Sequence, residues 1–213
     1  MRAFACSLVL FSCLAGFAVS DDEVSSKAHD PSSEDATVTV DGRELALSYE
    51  GEADGESIRE FIPSDESLET WTRLAAIREY PGLNDPTAAA EAVTKKLDDS
   101  DPPIHYDLLE NSKTGESVLD FTVFPDDKSF AEFNVFCYRK QADGGLASYQ
   151  YAVRAYGDDV VDFVNGLDAE GRMKYVVATL QFAAEQNGEE SNKQEDGDQA
   201  ATGKSDRDDD DND

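Results

Sequence analysis

Between residues 104 and 157 the chain reads IHYDLLENS, ESVLDFTVFP, FAEFNVFCYRK and GLASYQYAVRAYG, separated by the short polar links SKTG, PDDKS and QADGG. Aromatic and β-branched residues dominate each run, which is the composition of a pleated, packed surface. A link of four or five residues cannot carry a parallel crossover, so successive strands must lie antiparallel. This makes an antiparallel sheet the frame for the rest of the chain.

The first half fits that frame. ATVTVDGRELALSYE has two alternating apolar runs about Asp41-Gly42, a hairpin signal, and SIREFIPS predicts a third short strand. In SLETWTRLAAIREY, Asp65 or Ser67 is expected to cap one helical turn through Trp71, after which TRLAAIREY continues as a strand ended by Pro81-Gly82. NDPTAAAEAVTKKL predicts a helix with Asp85 at the cap, Pro86 at the first position and lysines in the last turn, facing the negative end of the helix dipole. In DVVDFVNGLDAEGRMKYVVATLQF, Val160, Val161, Val164 and Leu167, then Met173, Val176, Val177 and Leu180, recur at helical spacing, with Gly171 the expected break. There is no internal repeat. The expected fold is α+β: an antiparallel sheet of about six or seven strands with helices packed chiefly on one face.

The ends differ from the middle. Arg2 followed by the apolar run AFACSLVLFSCLAGF and by Ala18-Val19-Ser20 has the form of a signal peptide over residues 1–20, too short to span a bilayer and followed at once by acids. A weaker alternative is lipidation at Cys13, since Leu10-Phe11-Ser12-Cys13 loosely follows a lipobox. Residues 21–36 are expected to form an acidic disordered linker, residues 37–184 a single α+β domain, and residues 185–213 an acidic disordered tail, because neither end holds enough apolar surface to offset its ordering entropy. An EF-hand frame opening at Asn192 fails, because Gly203 stands where a bidentate Glu is required. The formal net charge is −29. Such a surface repels phosphate backbones, so no nucleic-acid partner is expected, and no cofactor or metal motif occurs. Once the leader is removed only Cys137 remains, so no intramolecular disulfide forms and the core must hold the domain alone.

A two-residue turn at Asp143-Gly144 would set Arg139 opposite Ser148, Cys137 opposite Gln150 and Phe133 opposite Arg154. Arg139, Gln150 and Arg154 then share one face and become the candidate binding residues. Their forked donors suit an anion or a carboxylate, and equally suit neighbouring acids. Trp71 is expected to be a core anchor. Arg73 and Arg78, five apart in one strand, should point to opposite faces. Cys137 and His105 are the one available nucleophile and base, but a mid-strand thiol among Phe and Val is ordinarily an inert packing group, so no catalytic residue is assigned.

The combination IPSDESLETWTRL, KTGESVLDFTVFPDDKSFAEFNVFCYRK and YQYAVRAYG, over roughly residues 55–182, resembles small exported bacterial proteins of unassigned function, as found in planctomycete-like bacteria. The layout is also similar to PsbP-like and DcrB-like α+β domains, which are exported or lumenal accessory and binding modules. Together with the leader and the candidate arginines, these likenesses lead to the expectation of a periplasmic or secreted, non-enzymatic accessory or binding protein whose partner is a protein or a small anionic ligand. The alternative is a small secreted hydrolase using acidic residues that the sequence does not single out.

Overall fold

A computed structural model describes residues 36–188 other than Asp54 and Asp143. The leader and its cleavage site, the lipobox, most of the linker and most of the acidic tail lie outside these residues. The described elements are β1 (Thr37–Val40), β2 (Arg43–Ala53), β3 (Glu56–Ile62), β4 (Arg73–Tyr80), α1 (Pro86–Asp98), β5 (Tyr106–Asn111), β6 (Glu116–Val123), β7 (Phe130–Lys140), β8 (Leu146–Tyr156), α2 (Asp159–Asn165) and α3 (Ala169–Gln186). The strands form one sheet of eight in the order β1-β2-β3-β4-β8-β7-β6-β5. Two four-stranded meanders meet where β4 pairs antiparallel with β8, and α1 carries the chain from β4 to the far edge strand β5.

The local signals explain the individual elements. Asp41 and Gly42 take φ of 52° and 70°, the left-handed pair that a two-residue hairpin turn requires. Asp85 caps α1 by accepting from the amides of Thr87 and Ala88 at 3.1 Å each. That helix buries Pro86, Ala89, Ala90, Val93, Thr94 and Leu97, one continuous stripe at helical spacing. Its Thr87 hydroxyl also meets the Ser117 hydroxyl on β6 at 3.0 Å.

The expected count of six or seven strands, with helices chiefly on one face, is overturned by a sheet of eight with helices on both faces. α1 packs over β5, β6 and β7 on one face, through Leu119, Phe121, Phe136 and Tyr138. α2 and α3 pack on the other, where α3 meets Phe133, Val135, Tyr149, Tyr151 and Val153. The reason is visible in β7 and β8, which bury consecutive residues over most of their lengths instead of alternating. A strand apolar on both sides needs a layer on each. Two further local expectations also change. Residues 63–72 form turns rather than a helical turn, with the Thr70 amide donating to the Ser67 carbonyl and the Glu66 carboxylate accepting from both the Thr72 amide and its hydroxyl. The C-terminal helix breaks at Gly166–Asp168, not at Gly171. Gly171 lies in the first turn of α3, where a Cβ would stand 1.9 Å from the Gly166 carbonyl oxygen, so the tight corner between α2 and α3 requires glycine there.

Candidate functional site

The two sheet faces are filled differently. The α3 side is one continuous apolar cluster from β1 across the sheet to β6. On the α1 side, two smaller clusters stand apart, one under α1 and one around Trp71, Ile62, Leu74, Ala76 and Ala152. A line of buried polar side chains runs over the same face, through β3, β4, β8 and β7.

Pairing register builds this seam. Gln150 on β8 lies opposite Ala76 and Phe136, which places Arg78 of β4 and Asn134 of β7 at its diagonals. Arg78 Nη1 donates to Gln150 Oε1 at 2.7 Å, Gln150 Nε2 donates to Asn134 Oδ1 at 2.8 Å, and Asn134 Nδ2 donates to Glu132 Oε1 at 3.0 Å. Glu132 lies directly opposite Arg154, whose Nε and Nη2 reach its other oxygen at 3.0 and 2.5 Å. Arg154 Nη1 donates to the Tyr156 hydroxyl at 3.1 Å, which in turn donates to the Trp71 carbonyl at 2.9 Å. At the other end, Arg78 Nη2 stands 3.5 Å from Glu60 Oε1.

Arg154 is held doubly. Its guanidinium carbon lies 3.8 Å from the centroid of the Trp71 ring and 4.2 Å from that of Phe130. A desolvated cation over an aromatic face contributes about 2 kcal/mol, and removal of the cation would leave Glu132 without its partner. Trp71, 2% exposed, is therefore the core anchor that the sequence indicates, and it also covers this cation. Glu60 is the strained end of the seam. Burial pushes its carboxyl above the ordinary value of 4.5, against the opposing pull of Arg78.

Of the three candidate binding residues, the fold brings Gln150 and Arg154 into this seam and sends Arg139 to the opposite face. Arg139 pairs with Ala147 across the ladder and makes an ion pair with Glu116. The one-residue difference in register comes from the link. Lys140 pairs with Leu146, leaving residues 141–145 as the loop, closed by a bond from the Gln141 amide to the Gly145 carbonyl at 3.2 Å. Gly145 has a φ of 86° and its Cα hydrogen faces the backbone of Pro81, where a Cβ would come within 3.0 Å. Asn134, Glu132, Glu60 and Tyr156 were not legible as members of this group. The available signal was polar residues two or four apart, Glu132 and Asn134 on one strand, Gln150 and Arg154 on the next, within otherwise apolar runs. Arg73 and Arg78 do face opposite ways: Arg78 points to the seam, while Arg73 shares the side of Ala75 and Ile77.

Cys137 and His105 do not form a dyad. Cys137 is fully buried on the α3 side, with burial raising its thiol to about 12. His105 is exposed just before the edge strand β5, which β6 separates from β7. A partly exposed ion pair on the α3 side joins Arg172 of α3 to the buried Asp120 of β6 and to the exposed Asp107 of β5, the latter at 2.5 Å. Burial raises the Asp120 carboxyl, opposed by the Arg172 hydrogen bond. Among the described residues no group of three or more His, Cys, Asp or Glu side chains is arranged to hold a metal ion. A shallow recess of about 460 Å³ opens between the start of α1 and the β7–β8 loop, lined by Asn84, Asp85, Thr87, Lys140 and Gly144.

The outer side of α3 carries exposed apolar residues beside charged ones. Met173 is 50% and Val177 44% exposed, with half-buried Leu180 next along the same stripe, and on α2 Val161 is 65% exposed. Among the described residues no helix is long and apolar enough to cross a membrane. No curated protein and no solved structure matches the chain. A family model matches residues 33–184, so the chain belongs to an uncharacterised protein family whose characteristic region is the whole sheet together with nearly all of its helices.

Proposed function

We propose that this protein is an exported, non-enzymatic binding or accessory domain of the cell envelope, and that it acts through its surface rather than through an interior site. The observation that carries this reading is the closure of the polar seam: each of the three side-chain nitrogens of Arg154 donates to a group of the protein itself, and Gln150 bridges Arg78 to Asn134. The residues best suited to capture a small anion are thereby engaged in holding four strands together. Among the described residues, four of the seven exposed large apolar side chains, Val161, Val164, Met173 and Val177, lie on α2 and α3. That shifts the reading from a small anionic ligand to a protein partner. Export rests on the leader, with a mature terminus at Asp21, and the resemblance to exported bacterial proteins of planctomycete-like bacteria and to PsbP-like and DcrB-like modules points the same way.

Site-specific photo-crosslinking in the native host tests the reading. A photoreactive residue at position 177, on the outer face of α3, is expected to trap one discrete protein in the envelope fraction. The same residue at position 113, in the exposed turn between β5 and β6, is expected to trap none. Equal labelling from both positions, or none from position 177, would remove the binding reading. Recovery of the protein from the cytoplasm with its leader intact would remove the envelope location.

A further inference from the structure

The outer stripe of α3 is regular. Ala169, Met173 and Val177 follow one another at intervals of four and are exposed, and half-buried Leu180, which also packs against the core, and half-buried Ala184 continue the line. The opposite side, Val176, Thr179, Phe182 and Ala183, is the buried one. An amphipathic helix normally turns charged residues outward, and here exposed Met173 and Val177 stand among Glu170, Lys174 and Gln181 on the outer side. The charge around it is of one sign. From Asp158 to Glu170 there are five acids, Asp158, Asp159, Asp162, Asp168 and Glu170, all exposed, and no base. The two cations that follow are engaged by other acids, Arg172 by Asp120 and Asp107, Lys174 by Asp41 at 3.3 Å.

We propose that this acid-flanked apolar face of α3, with the adjoining α2, docks a basic amphipathic helical segment of a partner protein. The inference rests on the reading of the protein as a binding domain and adds the chemistry of what it binds. Charge complementarity selects the occupant. A second copy would bring two surfaces of net charge −29 together, with acid flank against acid flank, and an anionic lipid surface would be repelled in the same way. The chain's own residues 189–213 carry no apolar side chain larger than alanine and are themselves acidic, so they cannot cover the stripe. A helix with apolar residues at i, i+3, i+4 and i+7 and lysines or arginines alongside satisfies both the apolar face and its acidic flanks.

The probe is a pair of designed amphipathic peptides, one of leucine and lysine and one of leucine and glutamate, titrated against the full chain by fluorescence anisotropy. The leucine–lysine peptide is expected to bind and the leucine–glutamate peptide not to. The double variant Met173→Asp/Val177→Asp is expected to weaken that binding at least about tenfold. The sign is decisive, because the variant makes the chain more acidic. Nonspecific attraction to the charged surface would strengthen, whereas docking on the stripe would weaken. Lys113→Asp changes the net charge by the same amount on a distant turn and should not weaken binding. Both substituted positions are exposed, and an unchanged melting curve confirms that the fold survives. Equal binding of the two peptides, or binding that the double variant leaves intact or tightens, overturns the proposal. So does a dimer seen by sedimentation, or adsorption to anionic vesicles, that the double variant abolishes; these would assign the face to a second copy or to lipid. A crosslinked protein at position 177 together with failure of the leucine–lysine peptide would keep the binding reading and discard the basic partner.

Discussion

The two faces of the sheet bury comparable strands by different means. On the α3 side, contiguous apolar residues from seven strands meet a helix in one cluster, and the ion pairs Arg172–Asp120 and Arg139–Glu116 sit at its margin. On the α1 side, a single 13-residue helix covers only one half of the face. The other half is filled by Trp71 with a polar seam alongside, in which each side chain is satisfied by the next. Apolar contacts tolerate small adjustments of position, while a hydrogen-bonded line fails at its weakest member. The α1 side should therefore be the more sensitive to single polar substitutions and the α3 side the more forgiving.

Removing the seam's cation should have the largest effect. Arg154→Ala is expected to cost about 3–5 kcal/mol, because Glu132 is left buried without its partner. Urea denaturation measures this, and the double variant Arg154→Met/Glu132→Leu should recover much of the loss. A loss below about 1 kcal/mol would mean that the pair is no more than a surface contact. Trp71→Ala should also cost about 3–5 kcal/mol, by emptying a large aromatic site and baring Arg154. Strong quenching of native Trp71 fluorescence by iodide would contradict its burial.

Cutting the seam at its middle should cost less. Gln150→Ala leaves Arg78 and Asn134 without a shared partner, a loss of about 1–3 kcal/mol by thermal or urea unfolding. On the forgiving face, Cys137→Ala should cost about 1 kcal/mol, and native Cys137 should react with a thiol reagent only on unfolding, since the thiolate is suppressed. Rapid labelling of the native protein would break the contrast between the faces.

The smallest effect is a pH dependence common to both faces. Burial raises Glu60 on the α1 side above its ordinary 4.5 and Asp120 on the α3 side above its ordinary 3.8. For a group whose folded pKa is raised, the folded state binds the proton more tightly. Its stabilising contribution is complete below the unfolded value and is lost as pH rises through the folded one. Stability measured upward from about pH 4 should accordingly fall less steeply in Glu60→Gln than in the parent protein. An identical slope in the two proteins would show that Glu60 titrates as it does in the unfolded chain.

Strand identities were legible in the sequence because they depend on nearest neighbours. The Asp41-Gly42 turn, the Asp85 cap and the four aromatic runs from β5 to β8 each fix their own backbone within a few residues. The opposite directions of Arg73 and Arg78 follow from the pleat alone. The register of β7 against β8 was not legible, because QADGG admits more than one loop length. The choice of residues 141–145 is made where Gly145 packs against Pro81, a residue 64 positions away in the chain. That single step separated Arg139 from Gln150 and Arg154.

The sequence by itself determined that this chain builds an antiparallel sheet with helices and carries a strongly acidic charge. Those properties are sums over local residues. Tertiary structure alone decided that helices lie on both faces and that Glu60, Arg78, Gln150, Asn134, Glu132 and Arg154 form one connected line. Whether a polar side chain in a strand is a binding group or a structural one depends on what lies opposite it, and what lies opposite is set by the pairing of strands distant in sequence.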